Sequence, residues 1–272
     1  MNLIRLKEIA IKAALAAGQH IKKYMDEDVT FEKKVGGTNY ASQVVTKVDR
    51  ECENIILSHL LPSCDTYNLA LLTEETEDDG SRFKKEFFWC IDPIDGTLNF
   101  INKEPGFSVS IALIAKDGTP HIGVIYDPNT DTLYHAAKGH GVFKNESLWK
   151  ISNRNDYLTY VTDKRLKDTP LLTELKALLQ KYVDELGLKG FEEMSGGASV
   201  INGIRVLEHG PACMIKYPKK ETGGGSIWDF ASTACIFQEL GLPVSNFGGG
   251  KLDLNRKDGT FMNHQGVFYA NF

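Results

Sequence analysis

Five apolar residues in succession, Phe87 to Ile91, run straight into Asp92-Pro93-Ile94-Asp95-Gly96-Thr97. Such a run predicts a buried strand, so the chain must build a core around it. What leaves that core carries chemistry: two carboxylates three residues apart, a proline between them and a Gly-Thr pair behind. Leu98, Asn99 and Phe100 suit the first turn of a helix.

Each residue type has a use at that bend. Asp92 and Asp95 are hard anionic oxygen ligands of the kind Mg2+ prefers. Pro93 has a fixed φ and no N–H, which stiffens the bend and leaves neighbouring carbonyls open to a cation. Gly96 permits close backbone approach, and the helix start behind it offers N–H groups to a phosphate. The competing structural account makes Asp95 a helix N-cap and Asp92 a strand end.

The chain has 272 residues, enough for one large domain or two closely packed halves. A net charge of −5 leaves no overall basic character for a nucleic-acid polymer or an anionic membrane. An acidic protein that handles phosphate needs cations in its site. Five cysteines, an odd number with no Cys-x-x-Cys pair, suggest reduced thiols and a cytoplasmic protein. No secretory signal or membrane-length apolar run is present.

Leu3 to about residue 25 has helical spacing, and 30–45 reads as a loop or hairpin able to fold over a site. Thr46 and Asp49 have capping-box spacing at the head of a second helix that Pro62 should stop. Leu69–Leu72 is a short strand ending in Glu74-Glu75, and 76–86 an exposed loop. Runs at 108–115, 121–126 and 132–137 with turns between them predict an antiparallel meander. His135 and His140 on it match no metal spacing.

A composition change near Ser152–Asp156 divides the chain into an α+β half, 1–152, and an α/β half, 153–272. Pro170–Leu186 predicts a helix stopped by Gly187. Ser195–Ser199 begins another, where Gly197 and Ala198 allow either close packing or approach by a ligand. A strand at 212–217 and a flexible Glu221–Gly225 loop precede Ser226-Ile227-Trp228-Asp229, a second capping-box spacing. Lys251–Leu254 and Val267–Ala270 read as closing strands.

Asp92-Pro93-Ile94-Asp95-Gly96-Thr97, followed by Trp228-Asp229 and small residues, resembles the signatures of the inositol monophosphatase family. The likeness extends over nearly the whole chain. It implies a layered α/β sandwich of alternating helix and sheet layers (αβαβα) and an Mg2+-dependent, lithium-sensitive phosphomonoesterase. By resemblance, Glu74, Asp92 and the carbonyl of Ile94 hold one Mg2+, and Asp92, Asp95 and Asp229 a second. Asp49 stands open between a cap and a role near the metals, which would number two or three. Thr97, with Glu74, would orient the attacking water, and the N–H groups of Gly96 and Thr97 would grip the phosphate.

Gly197, Ala198 and Glu221 fall where the family contacts substrate. Leu98-Asn99-Phe100 is more similar to the inositol branch than to the bisphosphate-nucleotidase branch, which favours an inositol or sugar phosphate. Gly223–Gly225 leaves the nucleotide branch as the alternative. A non-catalytic metal- or phosphate-binding protein is the rival of another class, and it is opposed by the full set of carboxylates and Thr97. Family members are often homodimers, an expectation carried by the resemblance alone.

Overall fold

The computed structural model of the chain describes residues 1–33, 44–152, 155–163, 165, 167 and 171–272. Most of the loop or hairpin expected at 30–45, and the Pro170 start of the later helix, lie outside the described residues. Helix α1 (Leu3–Lys22) leads to a two-stranded ribbon, β1 (Phe31–Lys33) with β2 (Val44–Thr46), and to α2 (Lys47–Tyr67). Next come β3 (Ala70–Thr73), β4 (Phe87–Asp95) and the short α3 (Thr97–Ile101). The meander is β5 (Ser108–Ala115), β6 (Pro120–Asp127) and β7 (Thr132–Ala137), extended by β8 (Val142–Lys144) and β9 (Ser147–Leu148). After it follow β10 (Leu158–Thr162), α4 (Leu172–Leu186), β11 (Phe191–Ser195) and α5 (Ser199–Glu208). The described chain closes with β12 (Ala212–Lys216), α6 (Trp228–Leu240), β13 (Val244–Ser245) and β14 (Val267–Asn271).

These strands form a seven-stranded sheet in simple order β3 to β9 and a five-stranded sheet in order β11-β10-β12-β14-β13. Side chains alternate across the first sheet with the strand period of two. On β5, Val109, Ile111 and Leu113 pack under α1 and α2, while Ala112 and Ile114 face the core shared with α5 and α6. That second core also takes Val161, Met214 and Tyr269 from the five-stranded sheet, whose outer face is covered by Leu175, Leu179 and Val183 of α4. The layers therefore run helix, sheet, helix, sheet, helix. All five cysteines are buried free thiols, and no described helix is long and apolar enough to cross a membrane.

Local chemistry overrides several sequence expectations. Helix α2 does not stop at Pro62 but runs on to Tyr67 and ends at Asn68, whose φ of 54° is left-handed. Its last turn is anchored, with Ser63 and Cys64 buried and Trp89 Nε1 donating to Ser63 Oγ at 2.9 Å. That anchorage offsets a proline penalty of about 3 kcal/mol in an unsupported helix. Loop 76–86 is not wholly exposed: Arg82 is buried, donating to Asp78 at 2.7 Å, Asn255 at 2.6 Å and the carbonyl of Arg256 at 2.9 Å.

Ser195 ends a strand instead of opening a helix, which starts at Ser199. Lys251–Leu254 is not a strand. Its buried Leu252 and Leu254 imitate one, but the Asp253 N–H goes to the side chain of Gln265 at 3.0 Å. Strands β10 and β11 escape the sequence pattern; β11 is a half-exposed edge with two outward glutamates. His135 is structural, stacked on Phe143, and its burial pushes its pKa down to about 4.

Where α1 crosses β6, a Cβ on Gly18 would stand 2.1 Å from the ring of Tyr126. That ring is buried, and its hydroxyl donates to Asp131. Helix propensity alone makes Gly→Ala stabilising by up to about 1 kcal/mol. Overpacking against a pinned ring costs more, roughly 1–3 kcal/mol. Gly18→Ala is therefore expected to lower the denaturant midpoint, and a raised midpoint would show that Tyr126 yields.

Candidate functional site

Strand β4 continues past its apolar run as far as Asp95. Its ladder with β5 pairs Asp92 with Ser110 and then Asp95 with Ser108, leaving a bulge over Pro93 and Ile94. Proline is tolerated there because a bulged residue has no ladder bond to lose. The bulge turns the Ile94 N–H onto Asp92 Oδ1 at 3.0 Å, while Asp92 Oδ2 is buried with no hydrogen-bond partner. Gly96 follows with a φ of 94°, and a Cβ there would lie 2.7 Å from that of Ala198. Both constraints require glycine.

Asp49 satisfies its capping-box expectation and does more. Oδ2 accepts the Thr46 N–H at 2.8 Å and the Thr46 hydroxyl at 2.5 Å. Oδ1 accepts the Thr97 hydroxyl at 2.9 Å, which joins the start of α2 to the central motif. Thr97 Oγ1 also stands 3.3 Å from the Ile94 carbonyl. A hydroxyl has one proton, and the shorter bond to a carboxylate takes it, so the Ile94 oxygen keeps its capacity for another partner. Burial is the main reason that the Asp49 pKa rises to about 6, opposed by the bonds from Thr46.

Asp229 comes from the other side of the molecule, in the first turn of α6. Only half of its expected capping box forms: the Ser226 N–H donates to Asp229, but no side-chain bond caps the helix. The neighbouring backbone is held instead by strand-like pairing, Ile227 N–H to Thr260 O at 2.9 Å and Met262 N–H to Gly225 O at 3.0 Å. One carboxylate oxygen from each of Asp92, Asp95 and Asp229 lies within 4.8 Å of the others. Burial first, then neighbouring carboxylates, pushes Asp92 and Asp95 well above the usual carboxylate range. For Asp92 the leading neighbour is Glu74, for Asp95 it is Asp229.

Glu74 stands outside the cluster of three but faces Asp92 from the end of β3, its N–H donating to Ile91 O at 3.2 Å. Gly197 and Ala198 pack closely: a Cβ on Gly197 would meet Asn202 at 2.5 Å, and the Ala198 N–H donates to Gly106 O at 2.9 Å. Glu221 is exposed on the loop before the glycine run.

Three participants have roles that the sequence does not indicate, although Asn99 stands in the motif itself. The Val200 N–H at the start of α5 donates to Asp95 Oδ2 at 2.8 Å, a backbone contact that no motif encodes. Asn99 straps the small-residue segment, its amide donating to Pro105 O at 3.0 Å and Gly196 O at 2.9 Å. Lys216 Nζ donates to Ser199 Oγ at 3.0 Å and Asp163 at 3.2 Å, and its charge lowers the Asp95 pKa.

The donor set fits a hard divalent cation. A buried carboxylate oxygen without a hydrogen-bond partner, beside two more carboxylates, is stable only when protonated or facing positive charge. All donors are oxygens, with no thiolate or imidazole among them.

Comparison with known proteins bears on the family and the fold. Residues 2–271 match the model of the inositol monophosphatase family. The inositol-1-monophosphatase of Bacillus subtilis is 32% identical, over 99% of this chain and 93% of its own. The Nus factor SuhB of Escherichia coli is 30% identical, over 89% of this chain and 85% of its own. The solved Thermotoga maritima IMPase superposes with a TM-score of 0.73 at 20% identity, covering 97% of this chain and 91% of that one.

The raised carboxylates have a thermodynamic consequence. Without metal, the folded state holds protons that the unfolded state has already released, so stability falls as pH rises from the unfolded carboxylate range. The metal-free protein is expected to melt at a higher temperature near pH 5.5 than near pH 8. Mg2+ should raise the pH 8 value and narrow the gap. A pH-independent melting temperature in chelator would refute the electrostatic strain.

Proposed function

The chain belongs to the inositol monophosphatase family and is a hydrolase of phosphoric monoesters, and we propose that it cleaves an inositol or sugar phosphate with Mg2+. The observation that carries this reading is the cluster of the buried Asp92 and Asp95 with the half-buried Asp229, beside the Thr97–Asp49 hydrogen bond. The relatives support the substrate class, since an inositol-1-monophosphatase is among them.

Glu74, Asp92, Asp95, Asp229 and the Ile94 carbonyl are the groups that would hold the metal ions. Bound there, Mg2+ would make a water more acidic and offset the charge that develops on the phosphoryl and leaving oxygens. The remaining work falls to the chain. Thr97 Oγ1, whose proton points to Asp49, presents a lone pair to an attacking water and fixes its orientation. As that water loses its proton to Thr97, the threonine proton passes to Asp49 Oδ1, which burial has made ready to accept it. Glu74, facing Asp92, limits where the water can sit.

The N–H groups of Gly96 and Thr97 begin the turn of α3, where no carbonyl one turn earlier is placed to accept them. They are the donors that would hold a phosphate oxygen. Asp95 is kept from swinging away by the Val200 N–H. Close packing of Ala198 against Gly96 sets the wall on which the rest of the substrate lies.

Phosphate release from inositol 1-phosphate, with and without Mg2+, tests this function. Asp92→Asn is expected to abolish turnover while raising the melting temperature of the metal-free protein, because it removes a carboxyl that must take up a proton, or stay charged against its neighbours, when the chain folds. Thr97→Val should lower kcat by about 10²–10⁴-fold, the range of a lost proton-transfer group. Wild-type activity in a folded Asp92→Asn protein would overturn the assignment.

A further inference from the structure

Strand β12 ends on a charged residue that faces inward. Ala212 and Met214 point into the core shared with α5 and α6, and the strand period of two puts Lys216 on the same side. Its side chain is 14% exposed, against 45% for its salt-bridge partner Asp163. An ammonium so far removed from water is unfavourable unless its donors are met. Three oxygens meet them: Ser199 Oγ at 3.0 Å, Asp163 Oδ2 at 3.2 Å and the Gly224 carbonyl at 3.5 Å. The fully buried Phe230 ring adds a cation–π contact, its centroid 5.4 Å from the ammonium.

These partners surround the carboxylate centre and fix the ammonium beside it. Ser199 precedes Val200, whose N–H holds Asp95 Oδ2 at 2.8 Å. Phe230 follows Asp229 directly. Gly224 precedes Gly225, where a Cβ would stand 3.1 Å from Asp229 Oδ2. Along the path through Ser199 and Val200, covalent geometry keeps the ammonium within roughly 10 Å of the Asp95 carboxylate. Its charge acts on Asp95 through space. Asp163 offsets that charge only in part, because the more exposed member of the pair is the more screened by water.

A cation held at this place opposes any other cation drawn to the same carboxylates. We propose that Lys216 is a fixed counter-charge that weakens divalent-metal binding between Asp95 and Asp229. The chain then needs more metal to fill its centre than the carboxylates alone would demand. Lys216 is a positioning residue, acting through the field it places on two aspartates and not as a ligand. This rests on the metal-centre reading above and holds whichever phosphate ester is cleaved. At roughly 10 Å a unit charge and a divalent ion repel, even at the dielectric constant of water, by enough to change an affinity about fourfold.

The test measures bound Mn2+, a paramagnetic ion that also prefers oxygen ligands, by electron paramagnetic resonance in low-salt buffer. Lys216→Met is expected to bind Mn2+ about fourfold more tightly than the wild type, or better. Lys216→Arg keeps the charge and should stay near the wild-type affinity. Lys219→Met removes an exposed ammonium three residues on, and as the control for net charge it should change the affinity far less. Mg2+ should also raise the melting temperature of Lys216→Met by more than that of the wild type. Where Lys216→Met fails to fold, Lys216→Gln takes its place.

Unchanged or weaker Mn2+ binding by Lys216→Met overturns the counter-charge. So does an equal gain in Lys219→Met or in Lys216→Arg. A wild type that binds no Mn2+ refutes the metal centre itself and this proposal with it, whereas equal affinities refute the role of Lys216 alone.

Discussion

The mutual repulsion of buried carboxylates organises this molecule. Asp92, Asp95 and Asp229 are drawn together against their own charge, and two of them are almost completely removed from water. Nothing in burial or packing favours that outcome. It persists because each group is fixed by a backbone donor: Ile94 for Asp92, Val200 for Asp95, Ser226 for Asp229. Backbone donors cannot rotate away as a lysine side chain can. The resulting electrostatic deficit is a standing affinity for a compact cation.

The layers supply these donors from distant stretches of chain. β4 brings Asp92 and Asp95 from the first sheet, and α5 and α6 bring Val200 and Asp229 from the helix layer shared with the second. Small residues make the meeting possible. Gly96, Gly106, Gly197 and Ala198 interlock so closely that a single methyl group on Gly96 or Gly106 would collide with the facing segment. Close packing and proximity to the carboxylates coincide here, because the same absence of side chains serves both.

Much of the fold was legible because periodicity reports burial, and the first sheet is buried on both faces. The apolar run of β4 and the strand-like runs of β5 and β6 could be read directly. Strand β11 was not, since two glutamates point outward on an exposed edge and leave no apolar pattern. Pro62 misled because local propensity ignores a tertiary bond such as that between Trp89 and Ser63. At the site, motif spacing led to Asp92, Asp95 and Asp229, whose chemistry resides in side chains. Val200 contributes a backbone N–H and so has no residue-type signature, and Lys216 reaches the centre only through the fold.

The ties between the two halves span long stretches of sequence, 105 residues from Asp95 to Val200 at the centre and 173 from Arg82 to Asn255 away from it. The hairpins of β4 to β7, by contrast, join neighbours along the chain. Loop closure makes near contacts form earlier than distant ones. On the growing polypeptide, Asp92 and Asp95 can therefore stay hydrated while the meander assembles, before Asp229 has been synthesised. The share of the repulsion that Asp229 adds is deferred to the final docking of the later helices, so the chain need not fold against all of its buried negative charge from the beginning.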